Sequence, residues 1–110
     1  MDVIKSKRDI ENIFKHGQWY NHPSVSILIN KVGSNQRDQD TGRVAFIAGK
    51  KTGNAVDRNR AKRLMREAAR LQGLPYQHYD ILLIATKRTK NLTLNQVSEA
   101  LAKVLLRAGF

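Results

Sequence analysis

Apolar residues recur along the chain with two different periods, and the switches between those periods mark its elements. Ile10, Ile13 and Phe14 keep helical spacing behind Ser6 and Asp9, a capping-box-like start, and Gly17 ends the run. A helix is expected over residues 6–16. Val25, Ile27 and Ile29 then alternate with Ser24, Ser26 and Asn30, which is the period of a strand with one buried face, although Leu28 blurs it. Residues 43–48 make a second strand. Residues 81–85 are apolar without a break, as in a strand covered on both faces, and this strand is expected at the centre of the sheet.

Two longer helices follow from capping signals. Asn54 is a good N-cap, Asp57 favours the first turn, and Gly73 terminates, framing a helix over residues 55–71. Thr93 and Gln96 form a second capping box, after which Leu94, Val97, Leu101, Val104, Leu105 and Ala108 hold helical spacing to the C-terminus. Residues 31–42 are polar, glycine-containing and almost free of apolar groups, as in a flexible hairpin loop. The order is therefore helix, strand, strand, helix, strand, helix in an α+β sandwich, with a short extra strand at residues 18–21 also compatible with the pattern.

Composition bounds this picture. At 110 residues and 41% hydrophobic content the chain supports one domain, residues 1–110, with a single core. No stretch approaches the roughly 18 apolar residues that span a bilayer, and the N-terminus has no signal-peptide run, so a soluble cytoplasmic protein is expected. Absence of cysteine removes disulfides, thiolate nucleophiles and cysteine metal sites together. The acids are scattered, and His16, His22 and His78 lie in separate segments near loops, where surface or capping roles are the ordinary expectation. The sequence therefore offers no catalytic residue and no metal site.

Charge changes the picture most. The formal net charge is +11, and residues 50–70 alone hold eight Lys and Arg against Asp57 and Glu67. Wound at 100° per residue, Arg58, Asn59, Lys62, Arg63, Arg66 and Arg70 share an arc of roughly 140°. Ala61, Leu64, Met65, Ala68 and Leu71 fill the opposite arc, and Arg60 stands apart beside Glu67. Arg66 and Arg70 repel at i, i+4, while an Arg63–Glu67 pair relieves one site. Self-repulsion on this scale implies a bound polyanion, and guanidinium forks suit phosphates and unpaired bases, so RNA is the expected partner. The apolar arc is thin for insertion into lipid, which sets the membrane reading aside. Lys50, Lys51 and Asn54 sit just upstream, where backbone N–H groups before the helix could cradle a phosphate. The segment is not a nucleotide-binding P-loop: Val44 replaces its first glycine, and Lys51 follows Lys50 where Ser or Thr is needed.

Arg58-Asn59-Arg60, continued by Lys62-Arg63 and Arg66-Glu67 and preceded by Lys50-Lys51 and Gly53-Asn54-Ala55-Val56, resembles the signature of the protein subunit family of bacterial ribonuclease P. Ile13-Phe14-Lys15-His16-Gly17 looks like the end of that family's first helix. Asp80 to Ala85 followed by Lys87 looks like its last strand. The resemblance implies a ribosomal protein S5 domain 2-like fold with a left-handed βαβ crossover, in place of the right-handed one that general rules favour. It further implies that the basic helix binds the catalytic RNA subunit. A cleft between the first helix and the sheet would hold the single-stranded 5′ leader of precursor tRNA. By resemblance Phe14, Lys15 and Lys87 fall at that cleft, with Ser26 and Leu28 on strand positions that line it. Trp19 and Tyr20 are read either as added aromatic surface or as packing. The implied assembly is a 1:1 ribonucleoprotein in which the RNA and its Mg2+ perform the hydrolysis and the protein itself binds no cofactor. Charge and fold alone suit a second reading, a non-catalytic ribosome-associated RNA-binding module.

Overall fold

The computed structural model describes residues 3–32 and 42–110. Helix α1 spans Lys7–His16, with Ser6 as N-cap accepting from the Asp9 N–H. Strands β1 (Gln18–Tyr20) and β2 (Val25–Lys31) follow. β3 (Arg43–Ile47) leads through a 3-10 turn at Lys50–Thr52 into α2 (Ala55–Leu71). β4 (Tyr79–Ala85), a second 3-10 turn at Thr89–Asn91 and α3 (Leu94–Arg107) complete the chain. Most of the expected loop, residues 33–41, lies outside the described residues; Lys31 ends β2, and the buried Val32 donates to the His78 carbonyl at 2.8 Å.

The sheet order is β1-β2-β4-β3. β1, β2 and β4 pair antiparallel, whereas β3 and β4 are parallel neighbours joined through α2. The short strand expected near residues 18–21 is thus β1, and the unbroken apolar strand β4 lies inside the sheet as its composition requires. The outer edge of β3 is covered in part by the N-terminal segment, where the Ile4 N–H donates to the Val44 carbonyl at 2.7 Å. That cover limits the exposed backbone edge.

Helices α2 and α3 pack on one face of the sheet through a cluster that includes Val25, Ile27, Ile81, Leu83, Met65 and Leu101. α1 covers the other face through Ile13, Leu28, Ala45 and Leu82, with Ile4. The expected one-sided β2 is therefore corrected: Val25 to Ile29 are all buried, and Leu28 is 0% exposed, because α1 lies over it. Gly17 makes that close approach feasible, since a Cβ there would sit 2.6 Å from the Ile13 carbonyl oxygen and 2.9 Å from Leu28 side-chain carbons.

The α2 termini follow local rules. Asn54 and Asp57 cap each other's backbone N–H groups at 2.9 and 3.2 Å. At the other end Gly73 adopts φ +76°, the Gly73 N–H reaches the Arg70 carbonyl at 3.1 Å, and the Leu74 N–H reaches the Ala69 carbonyl at 2.9 Å. This Schellman arrangement turns Leu74 back into the core. Leu71, expected on the apolar arc, is instead 58% exposed, and Ala69 is buried in its stead.

Candidate nucleic-acid interface

The outward face of α2 is a row of cations, few of them neutralised. Asn59, Arg60, Arg63, Arg66 and Arg70 are exposed, and Arg58 and Lys62 are half-buried, their stems lying toward the Ala61–Met65–Ala69 side of the helix. Among the described residues Arg58, Lys62, Arg63 and Arg66 make no ion pair. Glu67 pairs with Arg70 at i+3, and not with Arg63 as its spacing also allowed. The Arg66 guanidinium lies 5.3 Å from the Phe46 ring centroid, a cation–π contact that orients the side chain without neutralising it.

Arg60, expected with the RNA-binding residues, is exposed and also tied to a neighbouring turn. Its Nε donates to the Lys90 carbonyl at 2.8 Å, while Lys90 Nζ sits 3.2 Å from Asp57 Oδ2. These contacts fasten the start of α2 to the turn after β4. Lys50, Lys51 and Asn54 are exposed beside it, but the backbone there is already engaged. Thr52 and Gly53 donate to the Gly49 and Lys50 carbonyls, and Asn54 donates to Asp57. The Lys50 and Lys51 side chains stay exposed beside these bonded N–H groups.

On the α1 face, register sorts the side chains into three rows across the sheet. Asn30, Asp80 and Arg43 form the first, Trp19, Leu28, Leu82 and Ala45 the second, and Ser26, Ile84 and Ile47 the third. α1 covers the second row with Ile13, and its Asp9 reaches the first. Arg43 bonds Asp80 at 2.8 and 3.3 Å and Asp9 at 3.0 Å, tying β3, β4 and α1 together beside a cleft of about 310 Å3. The hydrogen bond to Asp80 raises the Arg43 pKa above its ordinary value, against the opposing effect of burial.

The third row is only partly covered: Ile84 and Ile47 are half-buried, packed against the α1-side cluster but not closed by it. Two large exposed aromatics stand on the same side of the molecule, Phe14 on α1 and Trp19 on the edge strand β1. Phe14 is 40% and Trp19 42% exposed, with ring centroids 5.8 Å apart and planes tilted 46°. Lys15 and Lys87 are exposed, and Ser26 is 8% exposed. Of the expected cleft residues, Phe14, Lys15 and Lys87 are exposed, whereas Ser26 is buried and Leu28 is sealed beneath α1. The sequence pattern did not place Ile84 and Ile47 at this site and left Trp19 between added aromatic surface and packing. Only pairing register, which places Trp19 opposite Leu28, puts them on this face.

Among the described residues no group of three or more His, Asp or Glu side chains converges as a metal-binding set. Nor is any helix long and apolar enough to cross a membrane.

The family model for ribonuclease P matches residues 2–109. The chain belongs to the ribonuclease P protein family. It is 32% identical over 107 residues to the ribonuclease P protein component of Clostridium novyi, covering 96% of this chain and 92% of that one. The corresponding Exiguobacterium protein is 36% identical over 105 residues, covering 96% and 88%. The fold superimposes on the Staphylococcus aureus RNase P protein with a TM-score of 0.82 at 28% identity, over 99% of this chain and 96% of that one. The RNase P protein from Thermotoga maritima gives 0.78 at 28% identity, over 97% of each. Membership makes the chain an RNA-binding protein component of the tRNA-processing endoribonuclease, associated with the ribonuclease P RNA and its tRNA substrate. The ribosome-associated alternative is not favoured.

Proposed function

We propose that the two sides of this chain serve two different RNAs within ribonuclease P. Arg58, Asn59, Lys62, Arg63, Arg66 and Arg70, with Lys50 and Lys51, contact phosphates of the catalytic RNA. Arg60 and Asn54 hold that surface in position. Phe14 and Trp19, on the same sheet face as Ser26, Ile84 and Ile47 and together with Lys15 and Lys87, take the single-stranded 5′ leader of precursor tRNA. The observation that carries this reading is the exposed Phe14–Trp19 pair beside α1. Base stacking on such side chains contributes about 1–3 kcal/mol per base.

The division has a mechanistic consequence. Cations on α2 screen the repulsion between catalytic RNA and substrate, an effect without sequence preference. The aromatic cleft favours precursor over mature tRNA, because only the precursor carries a leader. Hydrolysis belongs to the RNA and the Mg2+ it holds, in a 1:1 cytoplasmic ribonucleoprotein. Addition of the purified chain to ribonuclease P RNA at low Mg2+ is expected to rescue precursor cleavage. Failure to rescue would contradict the assignment.

A further inference from the structure

The third row meets the β1–β2 connection at Ser26. Ser26 Oγ lies 3.5 Å from the His22 backbone N–H, and beyond it is a second concavity of about 180 Å3 between the β1–β2 connection, the turn after β4 and α3. His22, Ser24, Arg88, Gln96, Glu99 and Lys103 line it. Its walls are fixed: Thr86 Oγ1 donates to the Pro23 carbonyl at 2.6 Å, and Thr89 Oγ1 to the Ser24 carbonyl at 2.7 Å. Arg107 Nη1 donates to the Asn21 carbonyl at 2.8 Å, holding a third cation near His22.

The chemistry of the groove is that of an anion receptor. His22 Nδ1 accepts the Ser24 N–H at 3.0 Å, so the neutral imidazole carries its proton on Nε2 and remains a donor. Arg88 and Lys103 are exposed and make no ion pair among the described residues. Glu99 is the one carboxylate in the lining, set against Arg88, Lys103 and the neighbouring Arg107. Their combined field is also felt at His22, whose pKa is lowered by burial and then by Lys103, Arg107 and Arg88.

We propose that this groove is a phosphate subsite for the 5′ leader, receiving an RNA phosphodiester displaced along the strand from the bases that stack on Phe14 and Trp19. The inference rests on the leader reading given above. Proximity favours the leader over the catalytic RNA: Ser26 Oγ, on the α1 face, accepts the N–H of His22, which lines the groove, and Arg88 in the lining follows Lys87 directly. A single strand can bend into so small a concavity, whereas a duplex meets only its rim.

The test uses holoenzyme assembled with the Arg88→Gln, Lys103→Gln double variant, precursors that differ only in leader length, and leaderless mature tRNA. Affinity for long-leader precursors is expected to fall about tenfold, and the slope of log affinity against log salt to shrink by roughly 1.4 for two single-strand phosphate contacts. Short-leader precursor, mature tRNA and the catalytic RNA alone should bind as before. No loss for long leaders, an equal loss for mature tRNA, or a matching loss toward the catalytic RNA would each overturn the proposal. A parallel Phe14→Ala holoenzyme separates the two readings. Leader-selective loss there with none in the double variant removes the groove alone, and equal loss for precursor and mature tRNA removes the leader reading itself.

Discussion

Beneath α2 and α3 the sheet buries fifteen described residues in one continuous cluster, whereas beneath α1 it buries five and leaves Ile84 and Ile47 half-covered. The closed face has the helices it needs. The open face is spanned by a single ten-residue helix, anchored at one end by Arg43 and Asp9 and at the other by the tight Gly17 junction. That helix is too narrow to cover three rows of side chains. A protein selected only for stability would fill the third row; this one leaves two aromatic rings and an apolar floor in reach of solvent. The proposed reading puts leader stacking on the open face and the larger core on the other.

The largest expected effect breaks the comparison on its stable side. Leu101→Ala, at a fully buried position of α3, should lower unfolding free energy by about 3 kcal/mol in denaturant titration. Ile84→Ala on the open row should lose only about 1 kcal/mol, since much of its surface is already accessible. Equal losses would mean that the open face is core after all.

The next effect concerns α2. Neutralising Arg58, Lys62 and Arg63 together to Gln should leave circular dichroism unchanged and reduce the salt slope of binding to the catalytic RNA by roughly 2 to 3. Arg60→Gln is expected to act differently, loosening the contact with Lys90 and lowering thermal stability as well. A triple variant that assembles with unaltered salt dependence would remove α2 from the RNA contact.

The smallest effect is a pH dependence at His22. Burial and then the nearby Lys103, Arg107 and Arg88 lower its folded pKa below 6.5, so the neutral form is favoured in the folded chain. The unfolded chain then binds the proton more readily, and this contribution to stability, present above pH 6.5, declines as pH falls through the lowered folded value. Imidazole titration by NMR should give a midpoint below 6.5 that moves up in Arg88→Gln. A midpoint above 6.5 would contradict the cationic groove.

Sequence carried some of these features further than others, according to how local their causes are. The α2 boundaries follow from Asn54, Asp57 and Gly73, which act within one turn of their own position, and both ends lie where those residues set them. β4 could be placed at the centre because a strand apolar on both faces has few other homes. The ordered basic motif likewise carried the family. Leu28 misled because its burial depends on where α1 docks, which no residue near it encodes. Leu71 misled because the helix ends there and Leu74, turned inward after Gly73, takes the core position. Glu67 had Arg63 and Arg70 within reach, and spacing alone does not choose between them. Trp19 needed its register opposite Leu28, and the tie between Arg60 and Lys90 spans thirty residues.

The central claim is that the open face reads the leader, and the most direct measurement is the ratio of precursor to mature tRNA affinity in holoenzyme carrying Phe14→Ala and Trp19→Ala. Loss of stacked bases at about 1–3 kcal/mol each predicts a precursor affinity reduced at least fivefold, with mature tRNA affinity unchanged and the ratio collapsed toward one. A ratio that stays at the wild-type value, through equal losses for both ligands or none for either, would contradict the account.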